Sequence, residues 1–192
     1  MADVTFFFDP VCPWTWRASR WLTLVAESRG LDVEWRPVSL LVLNGGADEE
    51  HGAMLEASQR ALRLVEHLHR AGRQAEIARL YTALGTAAHE HGLDFDDDLV
   101  DQALGQAGLD ADRAALDDRS LDAGVEAATG AAMAAAGPGV GSPVLALPHA
   151  ERGFHGPVLG AVPDKAESLA LWDAIDALAP VTAFFELKRA RR

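Results

Sequence analysis

The chain contains one cysteine, Cys12, which directly precedes Pro13 at the start of a predicted helix. Thiolate is the nucleophilic form of cysteine, and the unpaired N–H groups at a helix N-terminus favour an anion there. Thr15 lies one helical turn further on, where its hydroxyl can donate a hydrogen bond to the sulfur. We therefore expect a reactive Cys12. The alternative is an inert buried Cys12 with Thr15 on ordinary helix surface.

A single cysteine also limits the chemistry that this chain can complete. No internal disulfide can form, so any mechanism that needs a resolving cysteine within the same chain is excluded. A monothiol scheme survives this exclusion. In it, the Cys12 thiolate attacks a mixed disulfide of a small thiol, and a second small thiol releases the adduct.

The elements that must position Cys12 are a strand before it and a helix after it. Residues 4–8 form a β-branched and aromatic run that predicts a buried strand, ending at the turn Asp9-Pro10. Apolar residues at helical spacing then follow Pro13 as far as Gly30, which predicts the end of the helix. Residues 31–43 indicate a second strand, and Pro37 within them favours an edge or irregular position.

The remaining chain predicts a helical block and a short second group of strands. Only helical patterns occur over residues 48–136, whereas 144–147 and 153–155 are predicted strands that pair with each other. Asp164 then caps a final helix. The order β, α, β, helical block, β, β, α predicts one sheet, with parallel first strands and an antiparallel hairpin at the other side.

Composition excludes several classes of protein. The 192 residues are 49% hydrophobic and carry a net charge of −12, which favours a folded domain and opposes nucleic-acid binding. The start of the chain lacks the pattern of a secretory signal, so we expect a cytoplasmic protein. Gly and Pro interrupt the uncharged stretch 127–150, which argues against a membrane span. The pair His67 and His69 lies on different helix faces, and we expect no metal site.

The turn around the cysteine resembles that of a known family. Residues 8–16, Phe-Asp-Pro-Val-Cys-Pro-Trp-Thr-Trp, are similar to the active-site turn of thioredoxin-like proteins of the DsbA type. More specifically, they resemble the mycothiol-dependent reductase (nitroreductase) family of actinobacteria. The other similar stretches are 39–44, 81–89, 140–144, 156–158 and 184–188.

The resemblance implies a fold, a site and a co-substrate. It implies an α/β thioredoxin-like domain formed by residues 1–47 and 138–192, with a helical subdomain inserted at 48–137. Cys12 would be the nucleophile, Pro143 a cis-proline opposite it, and Ser142 would offer its backbone to a thiol-bearing ligand. The co-substrate would be mycothiol or another low-molecular-weight thiol.

Thr15 departs from the family pattern, because dithiol members carry their second cysteine at this position. This departure argues against disulfide chemistry of the thioredoxin kind. The candidate substrate-binding residues, in addition to Ser142 and Pro143, are Pro13, Trp14, Asn44, Tyr81 and His89. Two of them have a structural alternative: Trp14 can belong to the core, and Asn44 can be a turn residue before two glycines.

Three functions follow from these observations. The first is a cytoplasmic thiol-dependent oxidoreductase that acts through Cys12 on a mixed disulfide or an electrophilic small molecule. The second is an enzyme similar to glutathione S-transferase kappa or an isomerase, in which a bound thiol is the nucleophile. The third is a redox-silent binding protein. The substrate, the direction of electron flow and the oligomeric state, a homodimer included, are left open by the sequence.

Overall fold

A four-stranded sheet forms the centre of the computed structural model, which describes residues 2–46 and 51–190. Its strands lie in the order β2-β1-β3-β4. β1 pairs in parallel with β2, whereas β3 is antiparallel to both β1 and β4. The strands are β1 (Val4–Phe8), β2 (Val33–Pro37), β3 (Val144–Ala146) and β4 (Phe154–His155). The predicted arrangement of the strands is therefore confirmed.

The helix after the cysteine begins and ends where the sequence predicts. α1 (Pro13–Arg29) follows Cys12 as its N-cap, and Gly30 ends it in the left-handed conformation with φ 69°. α1 packs against the last helix, α7 (Lys165–Leu178), whose N-cap Asp164 accepts a hydrogen bond from the Glu167 amide as expected of a cap.

The predicted second strand is wrong beyond Pro37. β2 ends there, and a short helix α2 (Leu40–Leu43) follows in place of a strand. The Ser39 hydroxyl accepts a hydrogen bond from the Val42 amide at 3.2 Å and so caps this turn of helix. The apolar pattern of this run is typical of a buried strand, although its backbone is helical. β2 is an edge strand, as Pro37 indicated.

Helices fill the chain between α2 and β3, which confirms the predicted helical block. They are α3 (Gly52–Arg70), α4 (Gln74–Gly85), a π-helical segment (Thr86–Glu90), α5 (Asp97–Gln106), two short 3₁₀ segments and α6 (Asp122–Ala136). α3 packs against β2 and α6 packs against β3. The predicted boundary at residues 47 and 48 lies outside the described residues. In the described ranges, no helix combines the length and apolar character needed to cross a bilayer.

An aromatic cluster supports the end of β1 that leads to the cysteine. Phe8 stacks on Tyr81 with ring centroids 4.1 Å apart, and Trp16 and Trp35 make edge contacts with the Tyr81 ring. Gly85 allows α4 to approach closely, because a Cβ there would lie 2.1 Å from the Trp16 ring. The turn that carries Cys12 is thus held over a tightly packed core.

Candidate active site

Cys12 lies between the end of β1 and the start of α1. Its amide donates to the Asp9 carbonyl at 3.2 Å, and its carbonyl accepts from the Trp16 amide at 3.0 Å. These bonds fix the sulfur at the N-terminus of a 17-residue helix, where the backbone dipoles favour an anion. The residue is 7% exposed, and Sγ lies 3.7 Å from the Ser142 carbonyl oxygen.

The loop opposite the sulfur contains a cis peptide bond between Ser142 and Pro143, as the resemblance implied. The carbonyl of Pro143 accepts from the Gly156 amide at 2.9 Å, and Nδ1 of His155 lies 3.1 Å from the same oxygen. The Pro143 carbonyl is therefore occupied by protein donors, whereas the carbonyl of Ser142 faces the cysteine sulfur. Sequence analysis did not single out His155, which is remote from Pro143 along the chain.

Thr15 is placed differently from the sequence-based expectation. Its hydroxyl forms a 2.7 Å hydrogen bond with the Ser142 hydroxyl, rather than with the sulfur. The Ser142 hydroxyl also accepts from the Asp9 amide at 3.0 Å. Thr15 is fully buried, so α1 and the cis-proline loop are joined by a bond that is shielded from water. Thr15 is thus bonded to Ser142, the residue whose carbonyl oxygen faces the Cys12 sulfur.

Asp9 is a second residue near the cysteine that sequence analysis did not single out. Its carboxylate accepts hydrogen bonds from the Val11 amide at 3.1 Å, from the Leu40 amide at 2.8 Å and from the Ser58 hydroxyl. Burial raises the pKa of Asp9, and these hydrogen bonds act in the opposite direction. The bond to Val11 is a local Asx turn that the sequence could have revealed, whereas Leu40 and Ser58 come close only in the fold.

His89 reaches the cysteine turn from the π-helical segment. Its Nε2 donates to the Pro10 carbonyl at 2.8 Å, since a carbonyl oxygen can only accept. The imidazole ring also packs on Trp16, with centroids 6.1 Å apart. Burial lowers the pKa of His89, and the bond to Pro10 opposes that effect. His89 therefore lies beside the turn that carries Cys12.

The other predicted substrate-binding residues occupy different environments. Trp14 is half-buried beside Cys12 and has the Arg17 guanidinium 5.0 Å from its ring centroid, whereas Pro13 is exposed. Asn44 is exposed at the end of α2, where its amide donates to the Leu40 carbonyl at 2.9 Å.

Tyr81 is fully buried beneath the site. Burial raises the pKa of its hydroxyl well above the usual value, so the ring is neutral at any ordinary pH. Because the side chain has no exposed surface, we leave Tyr81 out of the set proposed to contact substrate. It supports the cysteine turn from the core instead.

The arrangement suits nucleophilic chemistry at sulfur. One thiol stands at a helix N-terminus beside a cis-proline loop, and the position one turn further along the helix holds a hydroxyl that cannot form a disulfide. This fold and site define a thioredoxin-fold protein with a single thiol at the position that follows β1.

Comparison with known proteins identifies the family. Residues 11–189 match the model of the Rv2466c-like family, described as mycothiol-dependent nitroreductase Rv2466c, and the chain belongs to this family. It is also 31% identical over 198 residues to the uncharacterized protein Rv2286c of Mycobacterium tuberculosis, covering 100% of this chain and 83% of that protein.

Solved structures confirm the thioredoxin-like fold of the DsbA type. The disulfide oxidoreductase DsbA of Proteus mirabilis is similar with a TM-score of 0.57 and 15% identity, over 93% of this chain and 88% of its own. The cytosolic disulfide reductase DsbM of Pseudomonas aeruginosa, solved with GSH, has a TM-score of 0.57 and 17% identity, over 91% of this chain and 99% of its own. A 2-hydroxychromene-2-carboxylate isomerase has a TM-score of 0.59 and 16% identity, over 94% of this chain and 97% of its own.

Proposed function

We propose that this protein is a monothiol oxidoreductase that uses Cys12 as its nucleophile and mycothiol as its co-substrate. The observation that carries this proposal is the position of Sγ, at the N-terminus of α1 and 3.7 Å from the carbonyl of the residue before the cis-proline. Membership of a family described as mycothiol-dependent supports the choice of thiol, and a related fold solved with GSH supports a small-thiol ligand.

The reaction proceeds in two exchanges at one sulfur. The Cys12 thiolate attacks the mycothiol sulfur of a mixed disulfide, so that the substrate leaves as its thiol and Cys12 becomes linked to mycothiol. This second disulfide is then broken by a second mycothiol thiolate, which regenerates the Cys12 thiolate. The balance is one mixed disulfide and one mycothiol in, and one substrate thiol and one mycothiol disulfide out.

Residues around the sulfur give each exchange its geometry. The Thr15 hydroxyl cannot compete for the Cys12 adduct as a second thiol would, so the adduct persists until an outside thiol arrives. Exposed Pro13 and half-buried Trp14 directly follow Cys12 in the chain and would contact the incoming ligand. His89 holds the turn through Pro10. Asn44 would contact the ligand from the end of α2. We place this chemistry in the cytoplasm.

Intact-mass spectrometry after incubation with mycothiol disulfide tests this proposal. We expect a single adduct of one mycothiol on the wild-type chain, lost on addition of reduced mycothiol. Cys12→Ser is the matched control, because it replaces sulfur with oxygen at the same position and must stay unmodified. An unmodified wild-type mass would contradict the proposal.

A second candidate is an isomerase-like enzyme in which the bound thiol is the nucleophile. It is favoured by the similarity of the fold to 2-hydroxychromene-2-carboxylate isomerase and by the presence of a hydroxyl at position 15. The same variant separates the two candidates. Turnover of a thiol-dependent substrate that is undiminished in Cys12→Ser selects the isomerase-like enzyme, whereas loss of turnover selects the oxidoreductase.

A further inference from the structure

The imidazole of His155 lies beside the backbone of the cis-proline loop. Its Nδ1 is 3.2 Å from the Gly141 carbonyl oxygen and 3.1 Å from the Pro143 carbonyl oxygen. These two residues flank Ser142, whose own carbonyl oxygen lies 3.7 Å from the sulfur of Cys12. A carbonyl oxygen can only accept, so Nδ1 carries the hydrogen and shares it between the two oxygens as a three-centre bond. One side chain thus spans the residue that faces the cysteine.

The side of the loop before Ser142 depends on this bond. Residues 137–141 are Gly-Pro-Gly-Val-Gly, and a backbone rich in glycine resists movement little. Within the described ranges, the Gly141 carbonyl accepts a hydrogen bond from His155 only. On the other side of the loop the sheet fixes the chain, because Val144 pairs with both β1 and β4 and lies opposite His155. His155 therefore ties the glycine-rich side of the loop to the sheet.

The bond to Gly141 also sets the direction of an unused donor. A peptide group is planar, so the Gly141 carbonyl and the Ser142 N–H point in opposite directions from one rigid unit. Among the residues that the structure describes, none accepts a hydrogen bond from this N–H, although Ser142 is only 6% exposed. Buried N–H groups without a partner are rare in folded proteins. A ligand with a carbonyl oxygen would supply the missing acceptor.

We infer that His155 is a positioning residue, which holds the Gly141 peptide so that the Ser142 N–H is presented to the ligand of Cys12. The inference rests on the proposed function, in which this ligand is a disulfide that contains mycothiol. The acceptor would be an amide carbonyl near the reacting sulfur, and mycothiol has one because its cysteine is linked through amide groups. The Ser142 hydroxyl takes no part in this contact, since protein groups already occupy it.

The test is the rate of adduct formation on Cys12 in the full chain, followed by intact mass over a range of disulfide concentrations. In His155→Phe, a ring remains but the donor is lost. We expect the mycothiol disulfide concentration at half-maximal rate to rise about three- to tenfold, the effect of one hydrogen bond, while the maximal rate changes less than about twofold. Bis(2-hydroxyethyl) disulfide has no carbonyl group for the Ser142 amide, and its rate should be equal in wild type and variant.

Two more variants separate positioning from a general effect on the fold. His155→Asn should keep the wild-type half-saturating concentration within about twofold, because the amide nitrogen of asparagine can lie where Nδ1 does. His149→Phe is the matched control, since it makes the same substitution at an exposed histidine whose Nε2 lies 3.4 Å from Asp176, and it should equal wild type. An unchanged half-saturating concentration in His155→Phe would overturn the inference, and so would an equal loss of rate with both disulfides.

A measurement on the wild-type chain covers the case in which His155→Phe does not fold. Long-range ¹H–¹⁵N NMR spectra distinguish the two neutral tautomers of histidine, and His155 should be the Nδ1–H tautomer. The Nε2–H tautomer would overturn the inference. Absence of any mycothiol adduct on Cys12 in wild type would instead overturn the proposed function, so the two failures are distinguishable.

Discussion

The buried bond between Thr15 and Ser142 leads to a quantitative prediction for Thr15→Val. Valine has nearly the shape of threonine, so the variant removes a hydroxyl without opening a cavity. The Ser142 hydroxyl would still accept from the Asp9 amide but would lose its 2.7 Å partner in a site that is closed to water.

The magnitude follows from two opposing contributions. A buried donor left without a partner costs about 1–3 kcal/mol. The added buried methyl group returns about 0.8 kcal/mol. We therefore expect the free energy of unfolding to fall by about 0.2–2 kcal/mol, which corresponds to a decrease in Tm of up to about 8 °C for a chain of this length.

Equilibrium unfolding in urea at pH 7 measures this difference. Far-UV circular dichroism and tryptophan fluorescence should give coincident transitions, which justifies a two-state analysis. Thr23→Val is the matched control on the same helix, because the Thr23 hydroxyl bonds the Ser19 carbonyl one turn earlier at 2.9 Å. That variant should change the free energy of unfolding by less than about 0.5 kcal/mol.

A double-mutant cycle decides whether the loss arises from the bond itself. Thr15→Val, Ser142→Ala and the double variant should show a coupling of about 1–2 kcal/mol, because the second substitution removes a group that has already lost its partner. A coupling below about 0.3 kcal/mol would refute the reasoning, even if each single variant is destabilised.

Two further predictions concern the elements packed behind the site. Gly85→Ala places a Cβ 2.1 Å from the Trp16 ring and should lower the free energy of unfolding by about 1–3 kcal/mol. Gly130→Ala is the control, because a Cβ there meets nothing within 4 Å and should not destabilise the protein. Equal urea midpoints for the two variants would contradict this prediction. The lowered pKa of His89 means that the unfolded chain binds the proton more tightly, so stability should fall as the pH drops below about 6.5 towards the folded-state value. His89→Gln can keep an N–H donor for Pro10 and should make the free energy of unfolding, measured in urea, depend less on pH in this range. An unchanged pH dependence in this variant would show that His89 does not contribute to it.

Local signals in the sequence were sufficient for most of the sheet and its flanking helices. The strand before Cys12, the stop at Gly30 and the cap at Asp164 depend on neighbouring residues only, and each was predicted correctly. The run after Pro37 was predicted incorrectly because four apolar residues in a row fit a buried strand as well as one helical turn. A further bond at the start of that turn, from the Leu40 amide to Asp9, joins residues 31 positions apart.

The site was only partly predictable for the same physical reason. Cys12 and the cis-proline loop could be proposed from the turn and from the resemblance. The Thr15 hydroxyl was expected on the sulfur because one helical turn separates the two residues, but its partner Ser142 lies 127 positions away. Buried polar groups take partners from whichever segment the fold brings close, and a single sequence carries no local mark of that choice.

The separation of Cys12 from Ser142 also has a consequence for biosynthesis. The two residues lie 130 positions apart, with the whole helical segment between them. A ribosome must therefore release the whole segment between them before β3 can join β1 and the Ser142 carbonyl can face the thiol. Throughout that interval the nascent chain carries an unshielded sulfhydryl, open to cellular oxidants and electrophiles before the structure that controls it exists.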